Sequence, residues 1–133
     1  MADQNGEVRC AVITPDRQVL DVKARSVVVT AHDGQIGVLT GRAPLLCKLG
    51  IGVVRLDVGG QERRLFVDGG FAQVRQNEVT VLTPAALEPE QIDRKKAEAA
   101  LQAAMDMRIT DDESFAARTD AIARAKAQLS LVS

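Results

Sequence analysis

Between Asp33 and Leu56 the chain reads DGQIGVLTGRAPLLCKLGIGVVRL. Gly34, Gly37, Gly41, Gly50 and Gly52 interrupt short apolar runs, and Arg42-Ala43-Pro44 sits in the middle. So much glycine weakens a helix and lets the backbone turn tightly at set points. The stretch lacks the lysine and hydroxyl that follow the glycines of a phosphate-binding loop, and no helix signal begins after it. It reads as strands and turns that shape a surface for a partner.

The same grammar extends outward on both sides. Val8 to Ile13 runs into Thr14-Pro15-Asp16, where proline ends the ladder and aspartate suits a turn. Ser26 to Ala31 is rich in valine and stops at Asp33-Gly34, a favoured two-residue hairpin turn. In Val54-Arg55-Leu56-Asp57-Val58 apolar and charged residues alternate, so one face is buried and the other wet. Gly59-Gly60 signals a hairpin, Arg64 to Asp68 returns, and Gly69-Gly70 permits a bend before Phe71 to Arg75. Gln76-Asn77-Glu78 then turns the chain into Val79-Thr80-Val81-Leu82. Short strands at regular spacing with glycine punctuation predict an antiparallel sandwich or flattened barrel.

After Thr83-Pro84 the composition changes. From Pro89 onward there is no glycine and alanine dominates. Pro89 suits the first position of a helix, and Ile92, Ala99, Ala103 and Met107 recur at helical spacing. Thr110-Asp111-Asp112-Glu113 matches a capping box for a second helix, with Phe115, Ile122, Ala125 and Leu129 as its stripe. The short link implies an antiparallel hairpin. The chain is therefore expected to be α+β, with a β-sandwich over residues 1–85 and a helical hairpin over residues 86–133. Alanine-built stripes bury little area, at about 0.8 kcal/mol per CH2, so the hairpin is expected to detach easily from its sandwich. From Ser114 onward Asp120 is the only acid against Arg118, Arg124 and Lys126, a balance suited to an acidic partner.

Composition narrows the function. A net charge of -1 gives no basic field for a polyphosphate backbone, and 2% aromatics give no stacking platform, so nucleic acid is not expected as a partner. No apolar run is long enough to cross a bilayer, and Met1 to Gly6 lacks the regions of a signal peptide, so a soluble protein in a reducing compartment is expected. Cys10 and Cys47, with His32 as the only histidine, do not make a disulfide framework or a metal site and read as small buried apolar residues. A hydrolase using Cys47 with His32 and Asp33 is conceivable chemically but has no spacing rule to join its parts.

Three blocks carry a resemblance to a known family. Gly34 to Leu46 is similar to G-E-x-G-x-L-P-G-H-A-P-L-L, Gly52 to Leu56 follows, and Phe66 to Val74 with Asn77 to Leu82 resembles v-x-G-G-f-x-e-V…n-x-V-t-V-L. These are the patterns of the epsilon subunit of the F-type ATP synthase, the counterpart of the mitochondrial delta subunit. The resemblance implies a non-catalytic rotor subunit in rotary ATP synthesis driven by a proton gradient. Its sandwich would grip the gamma subunit and rest on the c-ring through Gln35, Gly41, Arg42, Ala43 and Pro44. The hairpin would be an arm that inhibits hydrolysis, carrying Arg118, Arg124 and Lys126 to the acidic surface of the alpha/beta catalytic head. No cofactor is implied as a requirement. Ile92, Asp93, Lys96 and Ala97 resemble the ATP-sensing motif I/L-D-x-x-R-A, with lysine in the arginine position, which makes ATP a candidate regulatory ligand. The place implied is the cytoplasmic face of a bacterial cell membrane, held there only through the complex. The departures are Gln35 for glutamate, Arg42 for histidine and Thr40 for proline. The rival reading is a free-standing β-sandwich binding module with an oligomerising helical tail.

Overall fold

Alternation of apolar and polar residues builds most of the chain into strands, and two of them are long enough to serve two layers. The computed structural model describes residues 6–132; Met1 to Asn5, where no signal peptide is read, and Ser133 lie outside them. The strands are β1 (Val8–Ile13), β2 (Gln18–Ala24), β3 (Ser26–Ala31), β4 (Gly34–Val38), β5 (Leu45–Val58), β6 (Gln61–Arg75), β7 (Glu78–Leu82) and β8 (Ala86–Leu87). They form one eight-stranded sheet in the order β2-β1-β7-β6-β5-β3-β4, with β8 also on β6. It folds over on itself because β5 and β6 bend together: their register holds from Leu45↔Val74 through Leu49↔Gly70 and Ile51↔Asp68 to Val58↔Gln61. The second half of β6 pairs with β7 and the first half with β8, so the two strands cross from one layer to the other.

The bend is located by glycine. At Gly70, φ is +105° and a Cβ would collide with the Leu82 carbonyl oxygen. Between Val28↔Arg55 and Ala31↔Leu49, β3 advances three residues while β5 advances six, and within this bulge a Cβ on Gly52 would meet Thr30 Cβ at 2.9 Å. Between the layers lies a core of Val8, Cys10, Val12, Val27, Val29, Val54, Leu56, Leu65, Val67, Ala72, Val74, Val79 and Val81, with others from the same strands.

The expected α+β organisation is present, with several local differences. The β3–β4 turn is His32-Asp33, with Ala31 already paired to Gly34, so Gly34 (φ +145°) belongs to the strand. The pairing is antiparallel except for β1 with β7, which run parallel because the chain returns to β1 through the opposite layer. Pro89 opens a single 3₁₀ turn, Pro89–Gln91, rather than the first helix. Helix α1 (Arg94–Met105) starts later because the Asp93 carboxylate caps it, accepting the Lys96 N–H at 3.1 Å. Its buried residues are Ala97 and Ala104, while Ala99 and Ala103 are exposed.

Helix α2 (Asp112–Val132) is capped one residue later than expected. Asp111 Oδ1 accepts the Ser114 N–H at 2.7 Å and Ser114 Oγ accepts the Asp111 N–H at 3.0 Å, so the reciprocal pair is Asp111 and Ser114, not Thr110 and Glu113. These bonds hold the Asp111 carboxyl below the usual carboxylate range. Phe115 is exposed, while Ala125 and Leu131 are buried. The two helices pack on each other, and α2 leans on the sandwich through β5 and β6. β8 still pairs with β6, so the sheet runs to Leu87, past residue 85.

Candidate partner-binding surfaces

The glycine-rich stretch becomes the β3–β4 turn, β4, an exposed loop and the start of β5. Gln35 lies exposed on β4 opposite Thr30. After Val38 the chain leaves the sheet, and Arg42 donates its N–H to the Leu39 carbonyl at 3.2 Å to close a turn. Gly41 sits inside that turn at φ +86° and donates its N–H to Asn77 Oδ1 at 2.8 Å. Arg42, Ala43 and Pro44 are exposed, with Leu39 61% and Leu46 70% exposed beside them. His32 donates its N–H to the Lys48 carbonyl and the loop runs directly into Leu45, so the turn and the loop flank the first half of β5. The residues singled out from sequence therefore lie near the first half of β5, with Leu39 and Leu46 exposed in the same segment.

This arrangement disfavours the Cys47 thiolate. Burial pushes its thiol up, outweighing the lowering by the Ala72 backbone and Arg42. Burial pushes the Cys10 thiol to about 12. His32 is tied to β5 by its backbone, N–H to the Lys48 carbonyl at 3.2 Å, and no hydrogen bond joins His32 to Cys47 among the described residues.

A second apolar surface was not singled out from the sequence. The cross-strand partners Ile13↔Leu82 and Leu82↔Phe71 set three large apolar side chains in a row on the outside of the first layer. With Pro15 and Pro84 they line a shallow groove, and Phe71 and Leu82 are about half exposed. The signal was present: Ala72 and Val81 face inward, so Phe71 and Leu82 occupy positions where a lone sandwich would carry polar residues.

The hairpin covers the outside of the other layer. Leu65 and Val67 belong to the sandwich core, so Phe66 between them points the opposite way, yet it is only 1% exposed. Helix α2 lies on that side, bringing Leu131 down to β5 and β6. Two polar contacts accompany it. Arg124 makes a two-pronged pair with Asp68 at 3.0 and 3.2 Å, and Arg64 donates to the Ser130 carbonyl at 3.4 Å near the helix end. Arg118 donates to the Met105 carbonyl at 3.3 Å and so closes the end of α1. Of the three basic residues expected to meet a partner, two are thus engaged inside the docked hairpin, and Lys126 is exposed. Ile92, Asp93, Lys96 and Ala97 do cluster at the start of α1, where Asp93 is the cap, Ala97 is buried and Lys96 is exposed.

The family model of the ATP synthase delta/epsilon chain, beta-sandwich domain, matches residues 7–89. The chain is 42% identical over 122 residues to an ATP synthase epsilon chain of Rhodopirellula baltica, covering 92% of this chain and 95% of that one. The chain belongs to the ATP synthase delta/epsilon-chain family. An epsilon chain of Bacillus subtilis is 42% identical over 99 residues, covering 74% of this chain and 75% of its own length. In solved structures, the fold is similar to a chain of the Euglena gracilis mitochondrial ATP synthase, with a TM-score of 0.82 at 22% identity, covering 94% of this chain and 80% of that one. A chain of the Tetrahymena thermophila mitochondrial ATP synthase, in its central stalk and c-ring, has a TM-score of 0.68 at 12% identity, covering 94% of this chain and 96% of that one. The match extends beyond the sandwich, so this epsilon-family chain shares both of its parts with its relatives. None of its described helices is long and apolar enough to cross a membrane.

Proposed function

We propose that the chain is a non-catalytic central-stalk subunit of an F-type ATP synthase, in which the sandwich couples gamma to the c-ring and the hairpin restrains ATP hydrolysis. The observation that carries this reading is the division of the exposed surface in an epsilon-family chain. The hairpin screens one outer face, while the loop patch around Arg42 and the Ile13–Leu82–Phe71 row stay uncovered. Exposed apolar groups of this size favour burial by a partner. In this reading Gln35, Gly41, Arg42, Ala43 and Pro44 meet the ring, and gamma takes the apolar surface. When the hairpin leaves the sandwich, Arg118, Arg124 and Lys126 become available to the acidic surface of the alpha/beta head. The subunit then sits on the cytoplasmic face of a bacterial membrane, held only through the complex.

The test is to cut the chain after Leu87 and rebuild the complex. The sandwich alone is expected to co-purify with gamma and the c-ring, and ATP hydrolysis is expected to rise. Unchanged hydrolysis would remove the regulatory role from the hairpin. A stable homo-oligomer formed without gamma, seen by light scattering, would favour a free-standing binding module instead.

The proposal requires no cofactor. ATP is a candidate regulatory ligand at Ile92, Asp93, Lys96 and Ala97, but Asp93 is already engaged as a cap. Lys96 offers a point charge where arginine would offer a planar fork. The isolated subunit is expected to bind ATP more weakly than micromolar, which a calorimetric titration checks.

A further inference from the structure

We infer that Asn77 is the residue that sets the conformation of the 39–44 loop, and through it the fit of that loop to its partner. The β6–β7 turn is unusual in being made by two residues without glycine, Gln76 at φ +50° and Asn77 at φ +62°. Asparagine tolerates the left-handed region better than most side chains do, and that conformation leaves both polar ends of Asn77 available for other segments. Its carbonyl accepts the Arg9 N–H at 2.9 Å, fixing the turn to the start of β1. Its side-chain Oδ1 accepts the Gly41 N–H at 2.8 Å, from a loop 36 residues away in sequence.

The contact is placed where it has leverage. Gly41 is itself in the left-handed region, at φ +86°, inside the turn that Arg42 closes on Leu39. Thr40, next to it, has a buried hydroxyl with no hydrogen-bond partner among the described residues, so it adds no polar anchor of its own. A loop held in one conformation loses less entropy on binding than one that must be ordered at the encounter. The Asn77–Gly41 bond therefore prepares Arg42, Ala43 and Pro44 for their partner, and the last step of this argument rests on the ring-facing role proposed above.

The experiment separates the two layers of the claim. Asn77→Gly keeps the left-handed backbone and removes the acceptor, whereas Asn77→Asp keeps both and serves as the rescue. Amide exchange at Gly41 is read by NMR on the full-length subunit, and affinity is read by titrating the same proteins against a purified gamma–c-ring complex. In Asn77→Gly, exchange at Gly41 is expected to rise about fivefold, the scale of one neutral hydrogen bond, while amides of β6 and β7 away from the turn keep their protection. Affinity for the rotor complex is expected to fall by about the same factor, and Asn77→Asp is expected to restore both. Unchanged Gly41 exchange in Asn77→Gly would overturn the inference. Faster Gly41 exchange with unaltered rotor affinity would keep Asn77 as the organiser of the loop and overturn the ring-facing assignment instead.

Discussion

A methyl group placed on Gly70 would run into the Leu82 carbonyl oxygen, and it would have to do so at a backbone φ of +105°. Both problems lie in backbone, which cannot step aside as a flexible side chain can. Gly70→Ala is therefore expected to lower stability by about 3 kcal/mol or more, combining left-handed strain with a forced shift of β7. Urea unfolding of the full chain checks this; a change below about 1 kcal/mol would mean that the strand gives way easily. The bend at Gly69-Gly70 was legible from the sequence, because paired glycines in a strand have few other uses. Its tightness was not, since the clash comes from Leu82, which meets Gly70 only once β6 and β7 have paired. The cap of α2 shows the same limit. Thr110, Asp111 and Asp112 are all adequate caps by type, and only the structure shows that Asp111 accepts the Ser114 N–H.

Among the elements, α2 makes the informative contact because it is long while its grip is local. Ala125 and Leu131 are its buried residues, and Phe115, toward its other end, is 56% exposed. The alanine-rich stripes of the hairpin bury little apolar area in this arrangement. Arg124 and Asp68 are partly exposed, so their pair contributes at most about 1 kcal/mol and is screened by salt. Against a small apolar contact that amount still matters. Arg124→Ala is expected to raise amide exchange in the second half of α2 by a few fold and leave the sandwich core unchanged. Adding about 0.5 M salt should do the same to the unsubstituted protein and add little to the variant. Equal loss of protection in the helices and in β1 or β7 would show instead that the hairpin and the sandwich open together. Nothing in the sequence joins Arg124 to Asp68, which are 56 residues apart, so the pair was hidden until the fold brought them together.

At the scale of the whole molecule, the core between the two layers draws its buried residues from the strands alone, from Val8 on β1 to Ala86 on β8. The helices bury their own small set, Ala97, Ala104, Ala125 and Leu131, and share with the sandwich chiefly the cover over Phe66. The change from glycine-punctuated strands to a glycine-free helical segment was readable because it alters period and composition together. The parallel β1–β7 pair was not, because it depends on which strands become neighbours; Phe71 and Leu82 could be read as apolar residues on an outward face, but their row with Ile13 depends on the same pairing. Two separate cores imply two separable foldings. A chain ending at Leu87 keeps every strand, including the β8 pairing with Phe66 and Val67, and loses the cover over one aromatic ring together with the Leu131 contact and the Arg124–Asp68 and Arg64–Ser130 bonds. Uncovering Phe66 costs on the order of 2 kcal/mol, a sizeable part of the stability of a domain this small but short of the whole. The shortened chain is therefore expected to unfold cooperatively, with a lower midpoint than the full chain and increased binding of a hydrophobic dye at the bared face. A non-cooperative transition, or amides of β1 and β7 that exchange freely, would mean that the hairpin completes the core, and an arm that must leave the sandwich could not then be built this way.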